Sequence, residues 1–62
     1  MSREKLKRET YHVLVDAQWS VDCAQVDVET AIDADDAAYA RRRLKAALRR
    51  LHHAQRAYAA MR

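Results

Sequence analysis

Glu9 and His12 stand three residues apart, the spacing that sets a carboxylate and an imidazole on one helical face in carboxylate-bridged di-metal bundles. Such a site also draws carboxylates from a neighbouring helix, and from Ala37 to Arg62 the chain has none. His52 and His53 are adjacent and stand among Arg49, Arg50 and Arg56, whose guanidinium charges oppose a bound cation. Cys23 is the single cysteine, and His12 lies eleven residues before it, three turns away on one helix and out of reach for a thiolate–imidazole pair. The chain has no Gly, so it has no glycine-rich loop to cradle a phosphate. These residues predict no catalytic site, no metal site and no cofactor.

The elements that position them follow from apolar spacing. Leu14, Val21 and Val28 recur every seven residues, with Ala17, Ala24 and Ala31 three places after each. Leu44, Leu51 and Tyr58 repeat the pattern after Ala37, interleaved with Ala40, Ala47, Ala54 and Met61. The two series are out of register by two residues, about 200° at 100° per residue. One unbroken helix would carry its first stripe onto Asp35, Arg42, Arg49 and Arg56 and place the two apolar seams on opposite sides. A turn lets the seams meet.

Without Gly or Pro the usual stop signals are missing, and the break is assigned to Ile32-Asp33-Ala34-Asp35-Asp36-Ala37. Asp33 or Asp35 can accept from the free amides of a new helix, whose positive end suits carboxylates. The expected fold is all-α: an antiparallel two-helix hairpin in one 62-residue domain. Helix 1 covers about 3–32 with Ser2 as N-cap, the turn 33–35, and helix 2 about 36–61. Leu6, Thr10 and Val13 are expected to extend the seam of helix 1. His12 should come level with His52 and His53.

Two helices expose much of what they pack, and a chain this short without disulfides generally needs assembly to complete a core. A homodimeric four-helix bundle is therefore expected. A lone cysteine suits a reducing compartment. No apolar run approaches the roughly 20 residues of a membrane span, and the basic start before Leu6 lacks the apolar core of a signal peptide. The expected setting is cytoplasmic, with no membrane contact.

Charge is divided sharply although the net value is only +3. From Asp16 to Asp36 there are seven acids and no Lys or Arg; from Arg41 to Arg62 there are eight Lys or Arg and no acid. Arg3, Lys5, Lys7 and Arg8 should fold back beside Arg56 and Arg62, making the open end basic and the turn end acidic.

Two outward faces carry the functional expectations. On helix 1, Tyr11, Val15, Trp19 and Val26, with Ile32 near the end and Cys23 at the margin, cluster opposite the seam, interrupted by Asp22 and Glu29. A helix apolar on two sides is generally covered on both, which predicts a protein interface, either a homodimer seam or a docking face for another protein. On helix 2, Arg42, Lys45, Arg49 and Arg56, with His52 and His53, form the electrostatic footprint of nucleic-acid binding. No aromatics are interleaved for base stacking and no groove-reading motif is present. The alternative function is therefore RNA or DNA binding without sequence readout.

The length, the Asp33-Ala34-Asp35 turn after the aliphatic Ile32, and alternating small and large seam positions resemble the Rop (repressor of primer) family. That resemblance implies an antiparallel homodimer, a four-helix bundle gripping paired RNA loops with polar, basic and aromatic residues of its first helices. Here the matching face holds Val15, Trp19, Asp22 and Val26, apolar and acidic, so the resemblance carries the architecture and none of the RNA contacts. The expectation is a non-catalytic helical-hairpin regulator that self-associates through helix 1, with Tyr11, Val15, Trp19 and Val26 as the contact, and acts by binding a protein partner. Its Ala- and Arg-rich make-up fits a bacterial, plasmid or phage protein.

Overall fold

The computed structural model describes residues 2–61; Met1 and Arg62 lie outside them, and with Arg62 its expected place beside the basic start of the chain. The described residues form two helices, α1 (Arg3–Glu29) and α2 (Ala34–Ala59). They fold back on each other as a hairpin measuring 48 × 15 × 13 Å.

Each helix begins where a side chain can replace a missing backbone acceptor. The Lys5 amide donates to Ser2 Oγ at 3.2 Å, and the Asp36 amide donates to Asp33 Oδ1 at 2.8 Å. Both caps are extended residues followed by helix, the geometry in which a short oxygen-bearing side chain reaches the third amide onward. Asp35 and Asp36 add negative charge in the first turn of α2, at the positive end of its dipole.

The end of α1 differs from the expectation. The helix stops at Glu29 rather than Ile32, and the connection is Thr30 to Asp33. The Thr30 amide and hydroxyl both donate to the Val26 carbonyl, at 2.9 Å and 2.8 Å, while the Ala31 amide turns to Val28 at 3.5 Å. That bond spans three residues rather than four and tightens the last turn. Asp33 must also be extended to cap α2, so the backbone leaves the helix before it. Ile32 consequently stands clear of α1, 92% exposed, and does not join the outer cluster.

The seam is built from small side chains. Ala17, Val21 and Ala24 of α1 are buried with Ala40, Ala47, Leu51 and Ala54 of α2. Five of these seven are alanine, which permits close backbone approach, while Leu14 and Leu44 fill the space beside them. Every expected seam position of the second half from Ala37 to Met61 is buried or half-buried, although α2 ends at Ala59 rather than 61, as are Thr10, Leu14, Val28 and Ala31 of the first half.

Leu6 and Val13 are corrections, for both are exposed. The Tyr11 and Tyr58 rings lie 5.9 Å apart and so mark one level of the hairpin. Leu6 is five residues farther out, about 7.5 Å along the axis, past the last turn of α2. Val13 is rotated roughly 60° from the middle of the seam at 100° per residue, toward solvent. The same levelling corrects His12, which lies by the Tyr11 ring at 6.3 Å; His52 and His53 sit about 8 Å nearer the turn at 1.5 Å per residue.

Candidate interaction surfaces

Among the described residues, no group of three or more His, Cys, Asp or Glu is gathered as for a metal ion, and no helix is long and apolar enough to cross a membrane. His52 and His53 have ring centroids 6.2 Å apart on the outside of α2. Cys23 is exposed. The surfaces that remain are faces of helices, and four can be distinguished.

The first is the outer face of α1. Val15, Trp19 and Val26 recur at four and seven residues, so they form a ridge about 16 Å long, three helical turns. Their side chains are 46%, 69% and 55% exposed, and no part of the hairpin covers them. Tyr11 is different. It stands at the edge of this face with its ring turned to Tyr58, so it joins the end of the seam as well as the outer surface. The sequence expectation grouped all four residues, and the structure keeps three on the ridge and makes the fourth a bridge to α2.

Carboxylates border the ridge. Asp22 and Glu29 fall on one flank and Asp16 on the other, all exposed. The Gln18 amide nitrogen donates to Asp22 Oδ1 at 3.1 Å, holding that carboxylate along the helix. Asp27 points elsewhere: it pairs with Arg43 of α2 at 3.4 Å, and it is the one acid with an ion pair among the described residues.

The second surface is the outer face of α2. Arg42, Lys45, Arg49 and Arg56 are all exposed and lie within about 60° of one another at 100° per residue. His52 and His53 flank them. The row spans about 21 Å and includes no acid. None of its cations is drawn into an intramolecular ion pair among the described residues, as expected where α2 has exhausted its acids in the first turn.

The remaining two surfaces are the sides of the hairpin, on which the seam opens. On one, Arg43 and Arg50 stand over a shallow hollow floored by Ser20, Ala24 and Ala47. Arg43 also reaches the Tyr39 ring, 6.0 Å from its centroid. On the other side the middle of the hairpin is uncharged, with Arg41 toward the turn and Lys7 toward the open end. Leu14 and Leu44 are only half-buried, Leu48 is 46% exposed, and helical spacing places Gln18, Gln25 and Gln55 beside them. Sequence reasoning assigned Leu48 to neither the seam nor an outer face. Its signal was the four-three spacing of Leu44, Leu48, Leu51, Gln55 and Tyr58, in which Leu48 and Gln55 form a row beside the seam residues Leu44, Leu51 and Tyr58.

The exposed total is large for the mass. The hairpin presents 5126 Å² to solvent, whereas a compact monomer of 7.2 kDa presents about 4100 Å². The excess, about 1000 Å², is comparable with the roughly 800 Å² that one partner contributes to a stable interface. No protein-family model, curated protein or solved structure matches the chain.

Proposed function

We propose that this chain is a non-catalytic interaction protein, a helical hairpin that binds another protein through the outer face of α1 and pairs with a second copy of itself. The observation that carries the reading is Trp19. A large aromatic left 69% exposed between two exposed valines costs solubility and adds nothing to the hairpin core, and aromatic anchors of this kind dominate protein interfaces. A regulator with this design acts by occupancy: it covers a site on its partner or brings partners together.

Self-association is supported by a separate surface. The uncharged middle of the side bearing Leu14, Leu44 and Leu48 has the composition of an interface centre, where charge is depleted, with Arg41 and Lys7 at its ends. Two hairpins joined there would make a four-helix bundle, and opposed turns would bring each acidic end against the partner's basic end. The outer face of α1 stays free in that arrangement, so dimerisation and partner binding do not compete.

The test is mass by light scattering combined with capture of partners from the native cell, using the intact chain, Trp19→Ala and Leu48→Glu. The reading expects a dimer of about 14 kDa, that is, twice 7.2 kDa. Leu48→Glu should give a monomer, and Trp19→Ala a dimer that no longer captures protein. A monomeric intact chain removes the dimer, and capture indifferent to Trp19→Ala removes the docking face.

A second reading, nucleic-acid binding, is favoured by the uninterrupted cationic row on α2. Four phosphate contacts from Arg42, Lys45, Arg49 and Arg56 predict that log affinity falls with log salt at a slope of about −3 to −4. Binding that ignores salt, or survives Arg49→Glu with Arg56→Glu, excludes it. Capture repeated after nuclease treatment separates the two readings.

A further inference from the structure

We propose that the occupant of the α1 outer face is a basic amphipathic helix of another protein. The inference rests on the reading of that face as a docking site and names the chemistry of what docks. The ridge of Val15, Trp19 and Val26 offers apolar contact over three turns, and it is exposed throughout. Asp22 and Glu29 run along one flank and Asp16 along the other. From Asp16 to Glu29 the helix carries no Lys or Arg, and the one acid turned to a cation of this chain is Asp27, which faces Arg43. The three flanking carboxylates have no ion pair among the described residues. An apolar strip edged with acid on both sides is complementary to an apolar strip edged with Lys or Arg on both sides. A helix of three to four turns supplies it, with apolar residues at i, i+4, i+7 and i+11 and cations beside them.

Other occupants meet specific penalties. Nucleic acid and anionic surfaces bring negative charge to the same three carboxylates. A second copy of α1 places its own Asp16, Asp22 and Glu29 in the same three turns as these. The outer face of α2 from a second copy has the right charge but no aliphatic residue among Arg42, Lys45, Arg49 and Arg56 to pack on Trp19; of its apolar residues, Leu44 and Leu51 pack in the hairpin, and the exposed Leu48 lies on the side assigned to self-association.

Trp19 is the single tryptophan and sits in the middle of the face, so its emission reports occupancy directly. The test titrates the full chain with a synthetic helical Leu/Lys peptide of the spacing given above, and in parallel with a Leu/Glu peptide of the same spacing. The expected result is a blue shift of Trp19 emission with Leu/Lys only. Asp22→Lys with Glu29→Lys should weaken that binding by about tenfold or more without changing the far-ultraviolet circular dichroism. Because both carboxylates are exposed, folding is not at risk; Asp16→Lys, on the opposite flank, provides an independent second variant with a smaller loss. Arg49→Glu with Arg56→Glu should leave the titration unchanged.

No shift with Leu/Lys, equal shifts with both peptides, or indifference to all three carboxylate reversals overturns the proposal. So does emission that shifts blue with protein concentration alone, since the occupant is then a second copy. If the peptide fails to bind while Trp19→Ala still abolishes capture of a cellular protein, the docking face stands and only the basic helix falls.

Discussion

The two helices are nearly equal in length, and they share one seam design, yet their outer faces differ in kind. α1 turns Val15, Trp19 and Val26 outward between carboxylates; α2 turns outward arginine, lysine and histidine. The difference teaches where information is stored in a hairpin this small. The seam needs only one stripe of each helix, so the opposite stripe is free of folding constraints, and a solvated helix would fill it with mixed charge. Beyond its first turn, α2 fills it with one sign. α1 fills it with apolar bulk that water does not favour. The departure of α1 from an ordinary solvated face is the larger of the two, and its outer face therefore carries the functional reading.

That contrast can be broken by substitution. The largest expected effect is on binding: Trp19→Ala should cost about 2–4 kcal/mol of partner affinity, read by calorimetry, while stability measured by urea unfolding moves by less than about 0.5 kcal/mol. A large loss of stability instead would mean that Trp19 supports the hairpin, and the two outer faces would no longer differ in role. Next comes the seam that both helices share. Ala47→Leu should destabilise by about 1–3 kcal/mol, because a larger side chain between close helices forces them apart; an unchanged urea midpoint would show that the seam is looser than its alanines imply. The turn end follows. Asp33→Ala removes the cap of α2 and should cost about 1 kcal/mol, whereas Asp35→Ala, which caps nothing, should cost less. The smallest effect is expected on the outside of α2, where Arg49→Glu with Arg56→Glu should shift stability by less than about 0.5 kcal/mol. A substantial loss there would place those arginines in the structural frame and weaken the reading of them as contacts.

Much of the hairpin was legible from spacing alone. A seam displaced by two residues cannot be served by a single helix, and the burial of Ala17, Val21, Ala40, Ala47 and Ala54 follows from that displacement. Asp33 was readable as one of two candidate caps because its oxygen chemistry suits a helix start. The end of α1 was not. With no Gly or Pro to mark it, the stop depends on Thr30 bonding back to Val26 and on the extended backbone that Asp33 requires, both of which are features of three-dimensional geometry. Leu6 and Val13 match the apolar pattern, but their exposure depends on how far α2 reaches and how α1 is rotated, which a pattern on one helix does not encode. Of the outer ridge, Val15, Trp19 and Val26 were found by exclusion from the seam. Leu48 was missed for the complementary reason: it lies next to the seam without being part of it.

The alanines of the seam have one more consequence. A core of methyl groups offers few atoms whose removal could weaken it, so inherited changes at Ala17, Ala24, Ala40, Ala47 and Ala54 can proceed in only two directions, toward glycine, which loosens the backbone, or toward anything larger, which acts as a wedge. Sequence drift in this molecule is therefore channelled away from the contact line and onto its outward stripes, where new partners can be tried without disturbing the scaffold.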